Sequence, residues 1–240
     1  MRTSGSRGTA APPDPAAAAG AVYLLDKPRG WTSFDVVARV RRATGVRKVG
    51  HAGTLDPIAT GLLIVCTGPA TRRIEAYTGL DKEYEVAMEL GARTSSYDTE
   101  TPVLERRPLE GVTPERIRAV LAGFVGALQQ VPPMHSAVKV GGRRLYTLAR
   151  RGREIERPAR PVVVHAIDDV AVDLPAVRFR VRCSKGTYVR SLVNDAGAAL
   201  GCGAVMTALR RTSIGPYRVA DAVTPEAFAS AAEHRAAEDA

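Results

Sequence analysis

Cysteine and long apolar runs are both scarce in this sequence. The three cysteines, Cys66, Cys183 and Cys202, are scattered and form no CxxC pair. Neither a disulfide framework nor a zinc site is therefore expected, and buried reduced thiols are the default. No apolar run approaches the roughly eighteen residues that span a membrane. The first twenty residues are rich in Ala, Pro, Gly and Ser and lack the apolar region of a signal peptide, which predicts a disordered tail on a cytoplasmic protein.

The common catalytic motifs are also missing. The four histidines lie far apart and form no HxH or HExxH pattern, so metal catalysis is poorly supported. There is no GxxxxGK[ST] phosphate loop, and no GxGxxG follows a strand. Neither serine nor cysteine sits in a nucleophile elbow. The histidines in question are His51, His135, His165 and His234.

Positive charge is what the chain has in excess. Its 240 residues carry a net charge of +9, which favours a polyanionic partner or an acidic membrane surface. Residues 139–160 hold eight cations against two carboxylates, a net +6, with Gly and Pro on either side. We expect a projecting loop or hairpin whose arginines contact phosphates and whose aromatic residue stacks on a base. The alternative is a solvated charged face. The residues concerned are Arg143, Arg144, Tyr146, Arg150 and Arg151.

Periodic patterns predict a mixture of strands and helices. Lys82 to Leu90 alternates strictly and is typical of a half-buried strand, and "VRFRVRC" alternates apolar residues with arginines. Thr113-Pro114 begins a helix in which Ile117, Val120, Leu121 and Phe124 share one face. The interleaving of strands and helices, with no internal repeat and no regular βαβ spacing, indicates an α+β fold with a mixed sheet.

Weaker signals add further elements to this prediction. The predicted strands are Val22 to Leu25, closed by the turn "DKPRG", a buried strand at "LLIVC", a strand at Val162 to Leu174, and a strand and turn at "LRRTSIGPYRV". One predicted helix is opened by a Thr32–Asp35 capping box and ended by Gly45. Another runs from Tyr188 to Leu200, capped by Thr187 and ended by Gly201, and a terminal helix starts at Thr224-Pro225-Glu226.

The stretch "GHAGTLDPIATG", from Gly50 to Gly61, shows neither a helical nor a strand period. An elaborate loop costs ordering entropy, so it usually has a function. A lone Asp-Pro in a loop, as at Asp56, is more often a turn or cap residue than a catalyst. By pattern alone Tyr84 is a core tyrosine, Arg190 is a surface charge, and His51 hydrogen-bonds the loop backbone.

Five segments in order resemble the TruB family of tRNA pseudouridine synthases. They are "LLDKPRGWTSFDVV", "KVGHAGTLDPIATGLLIVCTGPATR", "KEYEV", "VPPMHSAVKVGGRRLYTLARRG" and "CSKGTYVRSLVNDAGAALG". The resemblance runs from about Val22 to Val223. It implies the pseudouridine synthase fold, a mixed and largely antiparallel sheet flanked by helices. The implied organisation is a tail at 1–20, a catalytic domain at 21–223 with a basic RNA-binding insertion at about 131–160, and a short helix or tail at 224–240.

The resemblance also implies the reaction, which is isomerisation of the uridine at position 55 in the T-arm loop of tRNA. The glycosidic C–N bond breaks, uracil turns, and C5 bonds to the ribose carbon instead. No cofactor, metal or ATP is needed. The target base is stacked in an RNA loop and must be flipped out, at a cost of a few kcal/mol.

Residue by residue, Asp56 matches the catalytic aspartate of the family. Its roles as nucleophile on the ring, nucleophile on the sugar, or base towards the sugar all require an ionised carboxylate, and a guanidinium beside it is expected to lower its pKa by about one to three units. The other matches are Arg190 as that guanidinium, Tyr84 as the residue that stacks on the target ring, Tyr188 as a second active-site tyrosine, Leu209 as a pocket residue, His51 as a residue packed against displaced nucleotides, and Lys27 and Pro28 as supports of the catalytic loop.

Two alternatives to a stand-alone enzyme stay open at this point. The first is an RNA-binding protein whose main task is to help tRNA fold, with the isomerase activity secondary or lost. The second is a member of the guide-RNA-dependent branch of the superfamily. The guide-RNA-dependent branch of the superfamily needs partner proteins and usually retains a C-terminal PUA-type domain, which we expect this chain to lack. We therefore expect a monomer that acts on tRNA with no obligate protein partner and no membrane.

Overall fold

A computed structural model describes residues 20–136, 139–140, 143–145, 147 and 155–238 of the chain. The tail predicted for the first twenty residues lies outside this range, apart from Gly20. The strands are β1 (Val22–Lys27), β2 (Val49–His51), β3 (Thr60–Thr67), β4 (Lys82–Leu90), β5 (Ala92–Thr94), β6 (Val103–Arg106), β7 (Gly126–Gln130), β8 (Lys139–Val140), β9 (Arg143–Arg144), β10 (Arg160–Asp173), β11 (Ala176–Cys183), β12 (Ala204–Ile214) and β13 (Tyr217–Arg218). The helices are α1 (Ser33–Thr44), α2 (Ile74–Gly79), α3 (Pro114–Ala122), α4 (Val189–Leu200) and α5 (Pro225–Glu238).

One large sheet organises the described residues. Its strand order is β1-β3-β12-β4-β11-β10-β7, with β13 paired to β12 and β2 paired to β3. Every strand pairing in it is antiparallel except that of β12 with β3. The strands β5 and β6 form a separate antiparallel pair, as do β8 and β9. The predicted α+β class, with a mixed and largely antiparallel sheet, is confirmed.

The alternation predicted for β4 and β11 fixes which side of the sheet is buried. Tyr84 lies opposite Val181, and Val86 lies opposite Phe179. All four are buried, whereas the arginines between them on β11 are exposed. Helices α3 and α4 pack on this apolar side and complete the larger core cluster. A smaller cluster forms where α1 and α5 pack on β1 and β3, with Tyr23 against the edge of the Phe228 ring.

The capping residues predicted from the sequence are confirmed for three helices. The Thr32 hydroxyl accepts from the Asp35 amide, and the Asp35 carboxylate accepts from the Thr32 amide, so the predicted capping box opens α1. Gly45 ends α1 in the left-handed conformation. Thr113 caps α3 through the Arg116 amide, and Thr224 caps α5 in the same way.

Several predicted boundaries are wrong. Strand β1 continues to Lys27, two residues into the expected turn, because it pairs with β3 as far as Gly61. Strand β12 begins at Ala204 rather than Leu209. The N-cap of α4 is Tyr188, with no side-chain cap, and Thr187 instead donates its hydroxyl to the Ser184 carbonyl at 3.0 Å. The irregular loop predicted from Gly50 to Gly61 is shorter than expected, because its first residues belong to β2 and its last residues belong to β3.

Candidate active site

Asp56 lies in the loop between β2 and β3, and the start of α1 holds the residues on both sides of it. The Ser33 hydroxyl accepts from the Leu55 amide at 2.8 Å and also reaches the Leu55 carbonyl at 3.2 Å. The Gly30 amide donates to the Pro57 carbonyl at 2.8 Å. The backbone on either side of Asp56 is therefore tied to α1 and the turn that precedes it.

Arg190 pairs with Asp56 from the first turn of α4. Its Nε is 3.0 Å from Asp56 Oδ2 and 3.6 Å from Asp98 Oδ2. Its two terminal nitrogens donate to the Ser96 and His135 carbonyls at 3.0 and 2.8 Å. The side chain is only 3% exposed, so the default interpretation of Arg190 as a surface charge is wrong. A guanidinium held on three sides presents a fixed donor to the Asp56 carboxylate.

The end of β7 positions the beginning of α4. The buried Gln130 amide accepts from the Tyr188 amide at 2.7 Å and donates to the Tyr188 carbonyl at 3.0 Å. One turn later, the Ser191 hydroxyl donates to the Val131 carbonyl at 2.9 Å. These bonds replace the missing side-chain cap and place Tyr188 and the residues after it relative to the sheet.

Tyr84 is buried on β4 and its hydroxyl is hydrogen-bonded to the Arg211 guanidinium. Arg211 also donates from Nε to the Leu62 carbonyl at 2.7 Å and from Nη2 to the Gly53 carbonyl at 3.1 Å. Burial raises the pKa of Tyr84, and the charge of Arg211 opposes that rise. Arg211 thus ties the tyrosine to the loop that carries Asp56.

A cavity of about 380 Å³ joins these residues. All four predicted catalytic residues line it, together with the predicted pocket residue: Asp56, Tyr84, Tyr188, Arg190 and Leu209. Burial raises the pKa of the Tyr188 hydroxyl, and the Ser136 hydroxyl lowers it. The volume falls within the range of about 300–1,000 Å³ that is usual for ligand pockets. Residues far apart in the sequence therefore meet around one cavity.

The predicted direction of the Asp56 pKa shift is wrong. Removal of the carboxylate from bulk water raises its pKa above the ordinary value, even though a third of the side chain is still exposed towards the cavity. Arg190 lowers this pKa, as expected, while the neighbouring Asp98 raises it. Desolvation is the largest influence on Asp56, and the ion pair with Arg190 offsets it only in part, while the negative charge of Asp98 adds to the rise.

Lys27 ends β1, Pro28 begins the turn before α1, and neither residue lines the cavity. The buried Lys27 ammonium donates to the Pro28 carbonyl at 3.0 Å and to the Trp31 carbonyl at 2.5 Å. Burial lowers the pKa of Lys27 to about 8, and the charge of Asp56 opposes this. The turn folded around Lys27 carries Gly30, which bonds the loop. This geometry suits a support of the loop, and that role stays a prediction.

His51 also lies outside the cavity lining, although it precedes the loop in β2. Its backbone pairs with Val65. Burial lowers its pKa, and the nearby charge of Arg211 lowers it further. A contact between His51 and displaced nucleotides stays a prediction.

Only part of the predicted basic insertion is described. Arg143 and Arg144 form β9, which pairs with Lys139 and Val140 in a two-stranded hairpin. Tyr146, Arg150 and Arg151 were predicted to contact RNA and lie outside the described residues. The contacts assigned to these five residues stay predictions.

Sequence reasoning missed four residues of the site. Asp98 and Gln130 carried no recognisable pattern, because their partners Arg190 and Tyr188 are 58 or more residues away. Lys82 and Arg211 did carry a signal. Lys82 shares the apolar face of β4 with Tyr84, and a charged residue in such a row is the exception that marks a functional position. Both Lys82 and Arg211 line the cavity.

Within the described part of the chain, no three or more His, Cys, Asp and Glu side chains are grouped so that they could hold a metal ion. In the same ranges, no helix is both long and apolar enough to cross a bilayer.

Two family models match adjoining parts of the sequence. Residues 41–189 match the TruB family pseudouridylate synthase (N terminal domain), and residues 190–240 match the tRNA pseudouridylate synthase B C-terminal domain. The first match alone covers more than half of the chain. The chain belongs to the TruB family. As a pseudouridylate synthase of that family it is an isomerase.

Individual TruB proteins agree with this assignment. The tRNA pseudouridine synthase B of Ralstonia pickettii (strain 12J) is 52% identical over 216 residues, which cover 88% of this chain and 68% of the relative. The protein of the same name from Chlorobium luteolum (strain DSM 273 / BCRC 81028 / 2530) is 50% identical over 213 residues, which cover 87% of this chain and 74% of the relative.

The fold is similar to that of a solved structure from the same superfamily, the crystal structure of the archaeal box H/ACA sRNP Nop10–Cbf5 complex. The TM-score is 0.68 and the sequence identity is 31%, over 93% of this chain and 57% of the other. This TruB chain therefore spans little more than half the length of the chain that it matches there.

The boundary between the two TruB family models does not coincide with a structural boundary. It falls at the start of α4, whereas β12, which follows, lies between β3 and β4 in the same sheet. Arg190 and Leu209 from the second matched part face Asp56 and Tyr84 from the first across one cavity. Both parts are needed to form the candidate active site.

Proposed function

We propose that this chain converts uridine to pseudouridine at position 55 in the T-arm loop of tRNA, with Asp56 as the catalytic carboxylate. The observation that carries the proposal is the Asp56–Arg190 pair, 3.0 Å apart in a cavity walled by Tyr84 and Tyr188. Relatives about 50% identical are named tRNA pseudouridine synthase B, which supports tRNA as the substrate.

The reaction needs one ionisable group at the ribose end of the base. The bond between N1 and C1′ breaks, uracil turns in the cavity, a bond forms between C5 and C1′, and the C5 proton leaves. Asp56 acts as a nucleophile on the ring, as a nucleophile on the sugar, or as a base towards the sugar, and each role uses the ionised carboxylate. Arg190 supplies the opposite charge. Substrate and product are isomers, so no oxidant, reductant or activated donor takes part.

The cavity receives a single base that has been flipped out of the RNA loop. The Tyr84 ring and the Leu209 side chain offer apolar walls against which a pyrimidine stacks. The Tyr188 hydroxyl offers a polar contact to its edge. Flipping costs a few kcal/mol, which contacts with the cavity and with the phosphates offset.

Recognition of the RNA falls to charged residues outside the cavity. We assign phosphate contacts to the arginines of residues 139–160 and a stacking contact to Tyr146. His51 packs against the nucleotides that flipping displaces. Lys27 and Pro28 hold the loop of Asp56 in place during this step.

The chain acts alone on tRNA in this proposal. Its identity to the two synthase B relatives is 50% and 52%, compared with 31% for the Cbf5 chain solved in complex with Nop10. Activity on bare tRNA, with no added protein or RNA, is the expected result. Activity that appears only after a guide RNA or a partner is added would contradict it.

Tritium release tests the reaction and the residue together. A T-arm hairpin RNA labelled with tritium at C5 of its uracils is mixed with the purified chain, because forming the C–C bond expels the C5 hydrogen into water. Release from one position is expected with the wild type and is absent with Asp56→Asn, whose RNA affinity stays close to that of the wild type. The matched control is Asp195→Asn, the same change at an exposed position on α4, and it should release tritium normally.

Two outcomes would overturn the proposal. Substantial release by Asp56→Asn would remove Asp56 from the catalytic role. Tight binding of hairpin and full-length tRNA without release by the wild type would instead favour a protein that assists tRNA folding.

A further inference from the structure

Two buried cations at the cavity have no obvious structural counter-charge. Lys82 is 6% exposed and Arg211 is 1% exposed, and both line the cavity of Asp56. Among the described residues, neither forms an ion pair with a carboxylate. The Lys82 ammonium donates instead to the Thr78 carbonyl at 2.6 Å and to the Leu80 carbonyl at 2.5 Å. These carbonyls belong to the C-terminal end of α2 and satisfy two donors of the ammonium, but they carry no full negative charge. Burial of a cation without an ionic partner is costly, so the pair calls for a further explanation.

Both cations lie next to Tyr84 in the cavity lining. Arg211 is directly opposite Tyr84 in the register of β12 and β4, and Lys82 is two residues from Tyr84 on the same face of β4. The charges of both Arg211 and Asp56 act on the Tyr84 hydroxyl. Arg211 is also the neighbouring charge that acts most strongly on Lys82. The cavity thus holds the Asp56–Arg190 pair and, beside Tyr84, two further cations.

Isomerisation of uridine places negative charge on the base. When the N1–C1′ bond breaks, its electron pair stays with uracil and spreads onto O2 and O4. If Asp56 adds to the ring first, the displaced electron pair also moves onto the ring oxygens. Neutral uridine carries no such charge. A cation beside the ring oxygens therefore binds the reacting base more strongly than the substrate, which is the condition for accelerating the reaction.

We propose that Lys82, together with Arg211, stabilises the negative charge that develops on uracil during isomerisation. The proposal rests on the proposed function, because it assumes that a uracil ring occupies the cavity with its sugar towards Asp56. The proposal also places the carbonyl edge of the ring next to Lys82 and Arg211. Lys82 has three N–H donors, and only two of them are used by the Thr78 and Leu80 carbonyls.

A comparison of two substrates tests this role. Fluorine at C5 withdraws electrons and stabilises the uracil anion, so a 5-fluorouridine target needs less help from a cation. Single-turnover rates are measured for T-arm RNAs with uridine or 5-fluorouridine at the target position, as loss of the N1-linked nucleoside after nuclease digestion. For Lys82→Met we expect the uridine rate to fall by about a hundredfold, the usual effect of removing one donor to a developing anion. The 5-fluorouridine rate should fall by a much smaller factor.

Three controls separate charge from structure. Lys82→Arg keeps the cation and should retain most of the activity. Lys48→Met removes an exposed lysine that precedes β2 and does not line the cavity, and both rates at saturating RNA should stay unchanged. The RNA affinity of Lys82→Met should match that of the wild type. Its melting temperature should fall somewhat, because the Thr78 and Leu80 carbonyls lose their donor. The comparison of the two substrates separates this structural effect from the effect of charge on the reaction. If Lys82→Met fails to fold, Lys82→Gln carries the same comparison, since its amide still donates to a carbonyl.

Two results would overturn the inference. Full activity of Lys82→Met on uridine would remove the role, and an equal loss with both substrates would show that Lys82 acts on folding or base placement. Failure of the proposed function is seen separately, as absence of isomerisation by the wild type.

Discussion

At the scale of single residues, Asp56 experiences three opposing influences. Burial raises its pKa, Arg190 lowers it, and Asp98 raises it. A carboxyl group with a raised pKa becomes protonated at a higher pH than usual. Because only the ionised form of Asp56 reacts in our proposal, activity should disappear as the pH falls through this raised value.

The pH below which activity is lost is the acidic limit, and two substitutions should move it in opposite directions. Arg190→Gln removes the influence that lowers the pKa of Asp56, so the limit moves to higher pH and the maximal rate falls. Asp98→Asn removes a neighbouring negative charge, so the limit moves to lower pH. Single-turnover rates across a pH series, with folding followed by circular dichroism, provide the measurement. Shifts of both variants in the same direction would contradict the assignment of Asp56 as the titrating group.

Tyr84→Phe separates the ring of this residue from its hydroxyl. The ring that stacks on the base is kept, so we expect a partial loss of turnover. The hydrogen bond to Arg211 is lost, which should lower the free energy of unfolding by about 1 kcal/mol, the typical net value of such a bond. Tritium release and urea unfolding measure the two effects. A loss of activity as complete as that of Asp56→Asn would show that the hydroxyl is an essential proton carrier.

The sequence predicts the members of the site better than their environment. Asp56, Tyr84, Tyr188, Arg190 and Leu209 were all expected in one pocket, and one cavity contains them. The burial of Arg190 was not predictable, because its partners come from distant segments that have no local pattern. The same reason explains the wrong direction of the Asp56 pKa. A shift of this kind depends on how much water the surrounding segments exclude, and only the assembled fold determines that.

At the scale of elements, helix α4 carries Arg190 and lies unusually close to β12. A Cβ atom added at Gly197 would be 2.1 Å from the Ala204 backbone nitrogen, so any side chain there forces the helix away from the strand. We expect Gly197→Ala to destabilise the protein by about 1–3 kcal/mol, which is typical of overpacking. It should also lower the rate, because Arg190 moves with the helix. Thermal unfolding and tritium release check both effects.

Gly79→Ala at the end of α2 is the matched control. No atom lies within 4 Å of its added Cβ, and its backbone conformation is one that alanine adopts freely. We expect unchanged or slightly increased stability. Equal stability of Gly197→Ala and Gly79→Ala would show that α4 can shift without cost.

Long periodic elements were predictable, and short ones were not. The strands β4 and β11 and the helix α3 have clear alternating or helical patterns, and the structure confirms them. The strands β2, β5 and β6 have three or four residues each, too few for a period to be visible. They form because longer neighbours provide partners for their backbone groups. Capping signals correctly predicted the starts of helices at Thr32 and Thr113. Helix α4 instead begins where Tyr188 bonds Gln130, and no residue near Tyr188 in the sequence indicates that contact.

At the scale of the whole molecule, the net charge of +9 predicts that RNA affinity falls steeply with salt. Each phosphate contact contributes about 0.7 to 0.9 to the slope of log affinity against log salt concentration. Replacing Arg150 and Arg151 by glutamine should therefore reduce the slope by about 1.4 to 1.8. The rate at saturating RNA should stay unchanged. Filter binding at several salt concentrations gives the slope.

Arg178 and Arg182 provide the comparison for this experiment. Both are exposed on β11, on the side of the sheet opposite Tyr84 and the cavity. Their replacement by glutamine should leave the salt slope at its wild-type value. An equal change in both double variants would show that the chain binds RNA through overall charge and not through residues 139–160.

The central place of β12 also sets the order in which the molecule is completed. Strands β3 and β4 follow one another in the chain but do not pair, because β12 lies between them. A ribosome makes the N-terminal part first, so a growing chain has two incomplete half-sheets with unpaired edges until Ile214 has been synthesised. Nascent chains are therefore inactive and prone to associate through these edges. Insertion of β12, which is synthesised late, joins the two half-sheets and completes the sheet on which the candidate active site is built.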